Sequence, residues 1–581
     1  MTYQKIYKYL VLNNLIFLIL SFLFYQAKLS DVINLIPSTI FLIGSGVITF
    51  SFFVQNYSLV LITWFAFATF LYVGIGTFAS LYKFSYLKLD DNILANMSNI
   101  DEVNMLNSLS IFIIVFISYL INLNNIKHIS NSVKSKDIVL ISNKLVTLII
   151  FILFSIIAIK ISYYSIFNNN IIINSILQKI TFFEDGMIII LAIKFLSLSS
   201  RYRIYIIIYF ILALIFSSLS LSSFIFLKTC LAICIGFFLF QENKKGIFLV
   251  FILMMLSYLL YNPTKLAMRS HNLFISNQIA FKDKLTILSD SLLLTYGSEE
   301  QSKSISYNFY KIKILNRFAQ PAYFMKFNNN KYSKEDYTRM RKEIFDYIIS
   351  YPNDRFSIEN LAKKISNHKF SFNINLNNKF NKSDIKLKNE IIKKVKIKNL
   401  SPINYIYGIF NRLDVVSIQR FIINEYNIGN KGSTLNNLHY FFIPRIIWKE
   451  KPSIQNYGIF LNKIFYDYNN LTDISPSSLA PSFAAEAYWN HGYLGVIIIS
   501  IFYGAVLGVL NSLFNKEAHI HYTIPYIMIL IPSIKWTMFY ESWIGISIIG
   551  EIIIIIVIYC LTRLSLKCFS KIISYKLKDV K

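Results

Sequence analysis

Long apolar runs recur along this chain at lengths that the core of a soluble domain does not require. The first spans about Tyr9 to Tyr25. Others lie near Val32 to Phe53, Ser58 to Tyr82, Ser108 to Ile126, Leu145 to Phe167, Phe182 to Leu198, Ile204 to Leu221, Phe224 to Phe240 and Ile247 to Tyr261. A further group follows a long polar region, near Tyr493 to Phe514, Tyr522 to Phe539 and Ile544 to Leu564. Each approaches the ~20 residues that a helix needs to cross a hydrocarbon core. Lipid offers the backbone no water to bond, so such runs must satisfy their own N–H and C=O groups as helices. The expected fold is an all-α polytopic integral membrane protein with about 12 transmembrane helices and a large outer loop between helices 9 and 10.

Composition agrees: 55% of the residues are hydrophobic and 15% are charged, against roughly 25% charged in a soluble domain. Lys5 and Lys8 precede the first run, and the following QAKLSD has no small-residue cleavage site, which marks an uncleaved first helix. Basic residues gather in alternate short connections, namely Lys127, Lys134 and Lys136, then Arg201 and Arg203, then Lys244 and Lys245, and finally the tail from Arg563 to Lys581. By the positive-inside rule both termini are then cytoplasmic, and the region from Asn262 to Gly492 is outside. The division is residues 1–261, membrane; 262–492, outer loop; 493–564, membrane; and 565–581, basic tail. The net charge of +27 follows this topology and an Asn- and Lys-rich composition, and no nucleic-acid module accompanies it. Cys230, Cys234, Cys560 and Cys568 lie in spans or the tail, so no disulfide framework is expected in the loop.

Within the loop, Lys334 to Ser350 has the pattern of an amphipathic helix, with Ser333 as a candidate N-cap. Residues 367–399 are repetitive, polar and Lys-rich, and form a mobile low-complexity insertion by composition. Helical spacing returns with Ile406, Ile409, Leu413 and Val416, placing Arg412 on another face and Arg420 near the edge of the apolar stripe. The segment from His439 to Pro452, HYFFIPRIIWKEKP, sets Arg445, Lys449 and Lys451 in an aromatic and apolar frame. A guanidinium there can hold two phosphate oxygens in its planar fork, and water exclusion strengthens each charged hydrogen bond. An interfacial anchor is the alternative reading of the same residues.

Four pieces of the loop together resemble the O-antigen polymerase type of oligosaccharide repeat-unit polymerase. They are NPTKLAMRS after the ninth run, NRLDVVSIQRFI with GST at Gly432 to Thr434, FFIPRIIWKEKPSI with Tyr457 and Gly458, and AAEAYWNHGYLG before the tenth. The chain departs from that family in offering Lys228 where an arginine is common at the outer end of a middle span. The resemblance implies inverting glycosyl transfer at the outer face of the inner membrane. A growing glycan would leave its polyprenyl pyrophosphate carrier for a hydroxyl of the next lipid-linked oligosaccharide. It implies Arg269, Arg412 and Arg445 as pyrophosphate clamps, supported by Lys265 and Lys451, with no metal or other cofactor. Membrane lipid and a chain-length regulator protein are the further partners it suggests, and nucleic acid is not one.

The acceptor hydroxyl requires a base within hydrogen-bond reach. Glu486 and His439 are preferred over His271, Asp414 and His491. Charges within runs, Lys160, Lys194, Lys228, Lys535 and Glu551, need a cavity, a partner or an exit to the surface, and Glu184 and Asp185 are expected at the outer end of the sixth run. Lys194 can snorkel inward; Lys228 and Lys535 could line a lipid-phosphate cavity or pair with Glu551 or Asp185. Asp90 and Asp91 could hold a metal, although a solvated turn accounts for them. An O-antigen ligase, or a flippase for the same lipid-linked sugar, is the alternative function; the asymmetric placing of the loop argues against a repeat-built transporter.

Overall fold

In a computed structural model, the structure describes residues 2–28, 33–55, 57, 60–87, 99–123, 143–166, 171–219, 229–233, 235–239, 288–293, 413–436, 438, 443, 461, 480–513, 520–538, 540 and 542–578. Among these residues there is no β-strand. The helices are α1 (Tyr3–Ala27), α2 (Leu35–Val54), α3 (Leu61–Thr69), α4 (Gly76–Leu87), α5 (Ile100–Asn122), α6 (Asn143–Ile166), α7 (Ile171–Lys194) and α8 (Ser200–Leu219). They continue with α9 (Val416–Asn427), α10 (Phe483–Ser512), α11 (Ile520–Met538) and α12 (Glu551–Lys578). A π-helical turn, Phe70–Ile75, joins α3 to α4, and another, Gly545–Gly550, leads into α12. Six helices among the described residues are long and apolar enough to cross a membrane: Tyr3–Ala27, Leu35–Val54, Leu61–Leu81, Ile100–Asn122, Phe483–Ser512 and Ile548–Leu566.

Small residues allow close helix approach. Gly504 and Gly508, four apart on α10, lie on α5, where a Cβ would come within 2.8 Å of the Ile114 carbonyl and 2.9 Å of Ile121. Small residues at this spacing let two backbones meet where lipid supplies little apolar driving force. Ser110 and Ser500 hydrogen bond across the same pair at 2.8 Å. The Tyr503 ring stacks on Trp536 of α11 at 4.3 Å and on Phe483 at 4.9 Å.

Polar contacts separate the two ends of the bundle. At one end α1 begins beside Tyr57, whose hydroxyl accepts from the Tyr3 amide, and Asn122 donates to the Gly508 carbonyl. There Asn511 also accepts from the Ile62 amide at the start of α3. At the other end lie the start of α2, the start of α5, the end of α4 and the start of α10. Ser38 donates to Asn104, which donates to the Asn34 carbonyl.

Several boundaries depart from the apolar runs. α5 starts at Ile100 rather than Ser108, because Asn104 and Asn107 find buried partners and Asp101 and Glu102 stand favourably in the first turn of the helix dipole. α10 is two helical arms joined at His491 and Gly492 (φ 60°, ψ −151°), so that Phe483 stacks on Tyr503; the second arm begins at Tyr493, as the apolar run does, and the first begins at Phe483, where the Ser482 side chain caps it by accepting from the Ala485 amide. Glu184 and Asp185 sit well inside α7 and not at its end, with Glu184 accepting a 2.6 Å bond from the Tyr209 hydroxyl. Lys535 pairs with Glu551 at 2.5 Å, joining α11 to α12. The expected helix at Lys334 to Ser350, the insertion at 367–399, the run at Ile247 to Tyr261, and Asp90, Asp91 and Lys228 lie outside the described residues.

Candidate functional site

α9, a piece of the large loop, is packed into the helix bundle. All residues from Val416 to Ile423 are buried. Asp414 starts the helix, accepting from the Ser417 amide at 3.0 Å and from its hydroxyl, and Ser417 Oγ meets Ser80 of α4 at 2.9 Å. Gly76 gives room for this entry, since a Cβ there would meet the Leu413 carbonyl at 2.6 Å.

Gln419 then joins three more elements. Its amide nitrogen donates to Asn107 Oδ1 of α5 at 2.9 Å and to Ser482 Oγ at the start of α10 at 2.7 Å. Asn107 returns a bond to Gln419 Oε1, and Tyr540 completes the group by donating to Asn107 Oδ1 at 2.7 Å. Buried amides satisfied in this way fix one arrangement of the segments that carry them.

Glu486 is the centre of a second cluster. It lies in the first turns of α10, 2% exposed. Its Oε1 accepts from the Thr434 hydroxyl at 2.7 Å and its Oε2 from the Ile544 amide at 2.5 Å, at the threshold of the turn leading into α12. Asn490, one turn on, donates to Thr434 Oγ1 and to the Glu486 carbonyl, and accepts from the Leu435 amide. Gly432 donates its amide to the Trp489 carbonyl, Trp489 donates its indole N–H to the Asn430 carbonyl, and a Cβ on Gly432 would strike the indole. Residues 430–435 are thus clipped to two turns of α10, and Glu486 links both to the start of the last helix. Among the described residues no cation pairs with Glu486.

Of the residues singled out from sequence, Glu486 and Asp414 are placed here, Asp414 bonded to Ser417, and His491 stands at the turn within α10. His439, Arg269, Arg412, Arg445, Lys265 and Lys451 lie outside the described residues. The structure brings together GST, the LDVVSIQRFI part of the second motif, and AAEAYWNHGYLG. Sequence reasoning passed over Asn107, Gln419, Asn490 and Tyr540. A polar residue on each of two apolar helices was the available signal, but their pairing spans up to 433 positions.

These elements define an all-helical protein with several candidate membrane spans and a buried polar layer at one end of the bundle. Residues 430–574 match the model of a family described as Domain of unknown function (DUF8712). That match runs from the clip through α10 and α11 into α12, and so includes every residue bonded to the Glu486 carboxylate. No curated protein and no solved structure matches the chain.

Proposed function

We propose that this protein is a multi-pass glycosyltransferase of the inner membrane that polymerises lipid-linked oligosaccharide repeat units into a surface polysaccharide. In this reading it has about 12 spans, its termini are cytoplasmic and its large loop is outside. The observation that carries it is the meeting, at one end of the bundle, of two of the four sequence pieces on which the family resemblance rests. Gln419 and Ser482 join the second piece to the last, and Thr434, Glu486 and Asn490 join GST to the same helix. The most cationic piece, from His439 to Pro452, follows directly in the chain.

The chemistry needs two surfaces. Arg269, Arg412 and Arg445, with Lys265 and Lys451, hold the pyrophosphate and stabilise the charge that develops as the anomeric C–O bond breaks. On the other side the acceptor hydroxyl oxygen forms the new bond to that carbon from the opposite face, and its proton passes to a base. His439 and Glu486 are the candidates for that base. Glu486 also has the geometry of a positioning residue, because both its oxygens already accept bonds within the protein.

The test is the surface glycan ladder of cells carrying wild type, a deletion or Arg445→Ala at matched membrane levels. Polymerisation predicts single repeat units in the deletion, reproduced by Arg445→Ala. Loss of the single-unit band as well would point to ligation or export, and a normal ladder in the deletion would end the proposal.

A further inference from the structure

The two arms of α10 lie side by side. Phe483 and Tyr503 stack with centroids 4.9 Å apart, and a Cβ on Gly495 would meet the Ala487 carbonyl at 2.4 Å. The first arm therefore rises to the turn at His491 and Gly492, and the second returns beside it. At about 1.5 Å per residue, the stretch from Tyr493 to Tyr503 covers ~15 Å, roughly half the thickness of a hydrocarbon core. Phe483 lies at that same level.

The outward face of the second arm fixes the depth. Leu494, Ile498, Ile501, Phe502 and Val509 are exposed along one side, and no charged residue occurs from Tyr493 to Ser512. This apolar stripe begins two residues past the turn. A neighbouring helix agrees, since Ile36 and Ile40 are exposed on α2 on either side of Ser38. Ser38 bonds Asn104 of α5, less than two turns before the Ser110 that meets Ser500. Exposed apolar faces of this extent suit acyl chains and not water. The first arm is the opposite, with every residue from Phe483 to Asn490 buried.

We infer that the chain re-enters the membrane here. Phe483–Asn490, together with Thr434 and the buried turns of α9, lies below the lipid surface, and acyl chains cover the stripe from Leu494 to Val509. Part of the region assigned outside from sequence is thereby set within the depth of the bilayer. Irregular backbone survives at that depth only where protein or enclosed water satisfies its polar groups, and the bonds found here do so. Ser482, Gln419, Asn107 and Tyr540 close one layer at the deep end of the first arm. Thr434 and the Ile544 amide close another on Glu486. The arm is too short and too polar to read as a span, which hides it in the sequence. The inference rests on the candidate spans and not on glycosyl transfer.

Power-saturation EPR on the full-length protein in nanodiscs tests this, with its four cysteines replaced by serine and one spin label at Leu494→Cys, Ile498→Cys or Phe502→Cys. These three side chains are exposed, so a label there disturbs no core contact. Relaxation by oxygen, which concentrates among acyl chains, should exceed relaxation by a water-soluble nickel chelate at each position. The excess should grow from Leu494 to Phe502. Relaxation dominated by nickel at Ile498 and Phe502 would set both arms in water and overturn the inference. The return of the first arm is read separately, by oxidising Phe483→Cys with Tyr503→Cys using copper phenanthroline and seeking the disulfide-linked peptides by mass spectrometry. Labels in lipid without that link would put the first arm outside the bilayer and overturn the inference equally. Neither readout depends on the glycan ladder, so a normal ladder in the deletion ends the polymerase reading alone.

Discussion

Replacing Glu486 separates a structural tie from a chemical base. Glu486→Ala removes the acceptor of both the Ile544 amide and the Thr434 hydroxyl. Each is buried, and a buried donor left without an acceptor costs about 1–3 kcal/mol, so the pair gives roughly 2–6 kcal/mol. Glu486→Gln behaves differently. Its amide oxygen can keep the Ile544 bond while its nitrogen donates to Thr434 Oγ1, which already accepts from Asn490. Only the hydroxyl proton of Thr434 then loses its place, a loss of about 1 kcal/mol. Unfolding of the full-length protein in micelles, followed by tryptophan fluorescence, should therefore rank wild type above Gln and Gln above Ala. The glycan ladder of the same variants then divides the roles. As a tie alone, Gln polymerises nearly as wild type; as the base, Gln loses about 10²- to 10⁴-fold at little loss of stability. An Ala variant as stable as wild type would refute the clip as a determinant of the fold.

Gly492→Ala should lower the unfolding midpoint, since the strained backbone there costs a non-glycine residue about 1–3 kcal/mol and the new Cβ would press on the Tyr426 hydroxyl; an unchanged midpoint would count against the break. Lys535→Met and Glu551→Met should each lower the unfolding midpoint by breaking the part-buried pair, and the double variant should lose less than the sum of the two. Additive losses in that cycle would show the pair to be uncoupled. Gly508→Leu should cost about 1–3 kcal/mol by forcing α10 away from Ile121, read as a lower midpoint, and a tolerated leucine would refute the close packing.

The apolar runs predicted helices over most of α1, α2, α3, α6, α8, α11 and α12, because lipid leaves a backbone no other option. They misplaced the ends that carry polar residues. Asn104 and Asn107 resemble a solvated loop until Asn34 and Gln419 are known to meet them. Lys535 and Glu551 were legible as possible partners, sixteen positions apart and each in need of one. Glu486 was legible as a candidate because few carboxylates occur near the motifs. Its bonds to Thr434 and Ile544 were not, because they join positions 52 and 58 residues away. The turn at His491 and Gly492 coincides with the boundary read between the loop and the tenth run; the helical arm that precedes it from Phe483 was not read.

The two ends of the bundle are held by different means, and this has a consequence for every variant above. Helices in lipid gain little by covering apolar surface from one another, so association rests on close packing and on polar bonds. At the end where α1 begins, Gly508, Asn122 and Asn511 provide both, with no described motif residue bonded to Asn122 or Asn511. At the opposite end Asn107, Gln419, Thr434 and Glu486 provide the bonds, and these same residues hold the motif segments in place. Stability and glycan synthesis should therefore fall together for variants of Asn107, Gln419 and Thr434. For Gly508→Leu stability should fall with the length of the glycan unchanged in the protein that remains folded. A shortened glycan from Gly508→Leu at matched folded levels would mean that the bundle transmits strain over its full length, and the separation of the two ends would not hold.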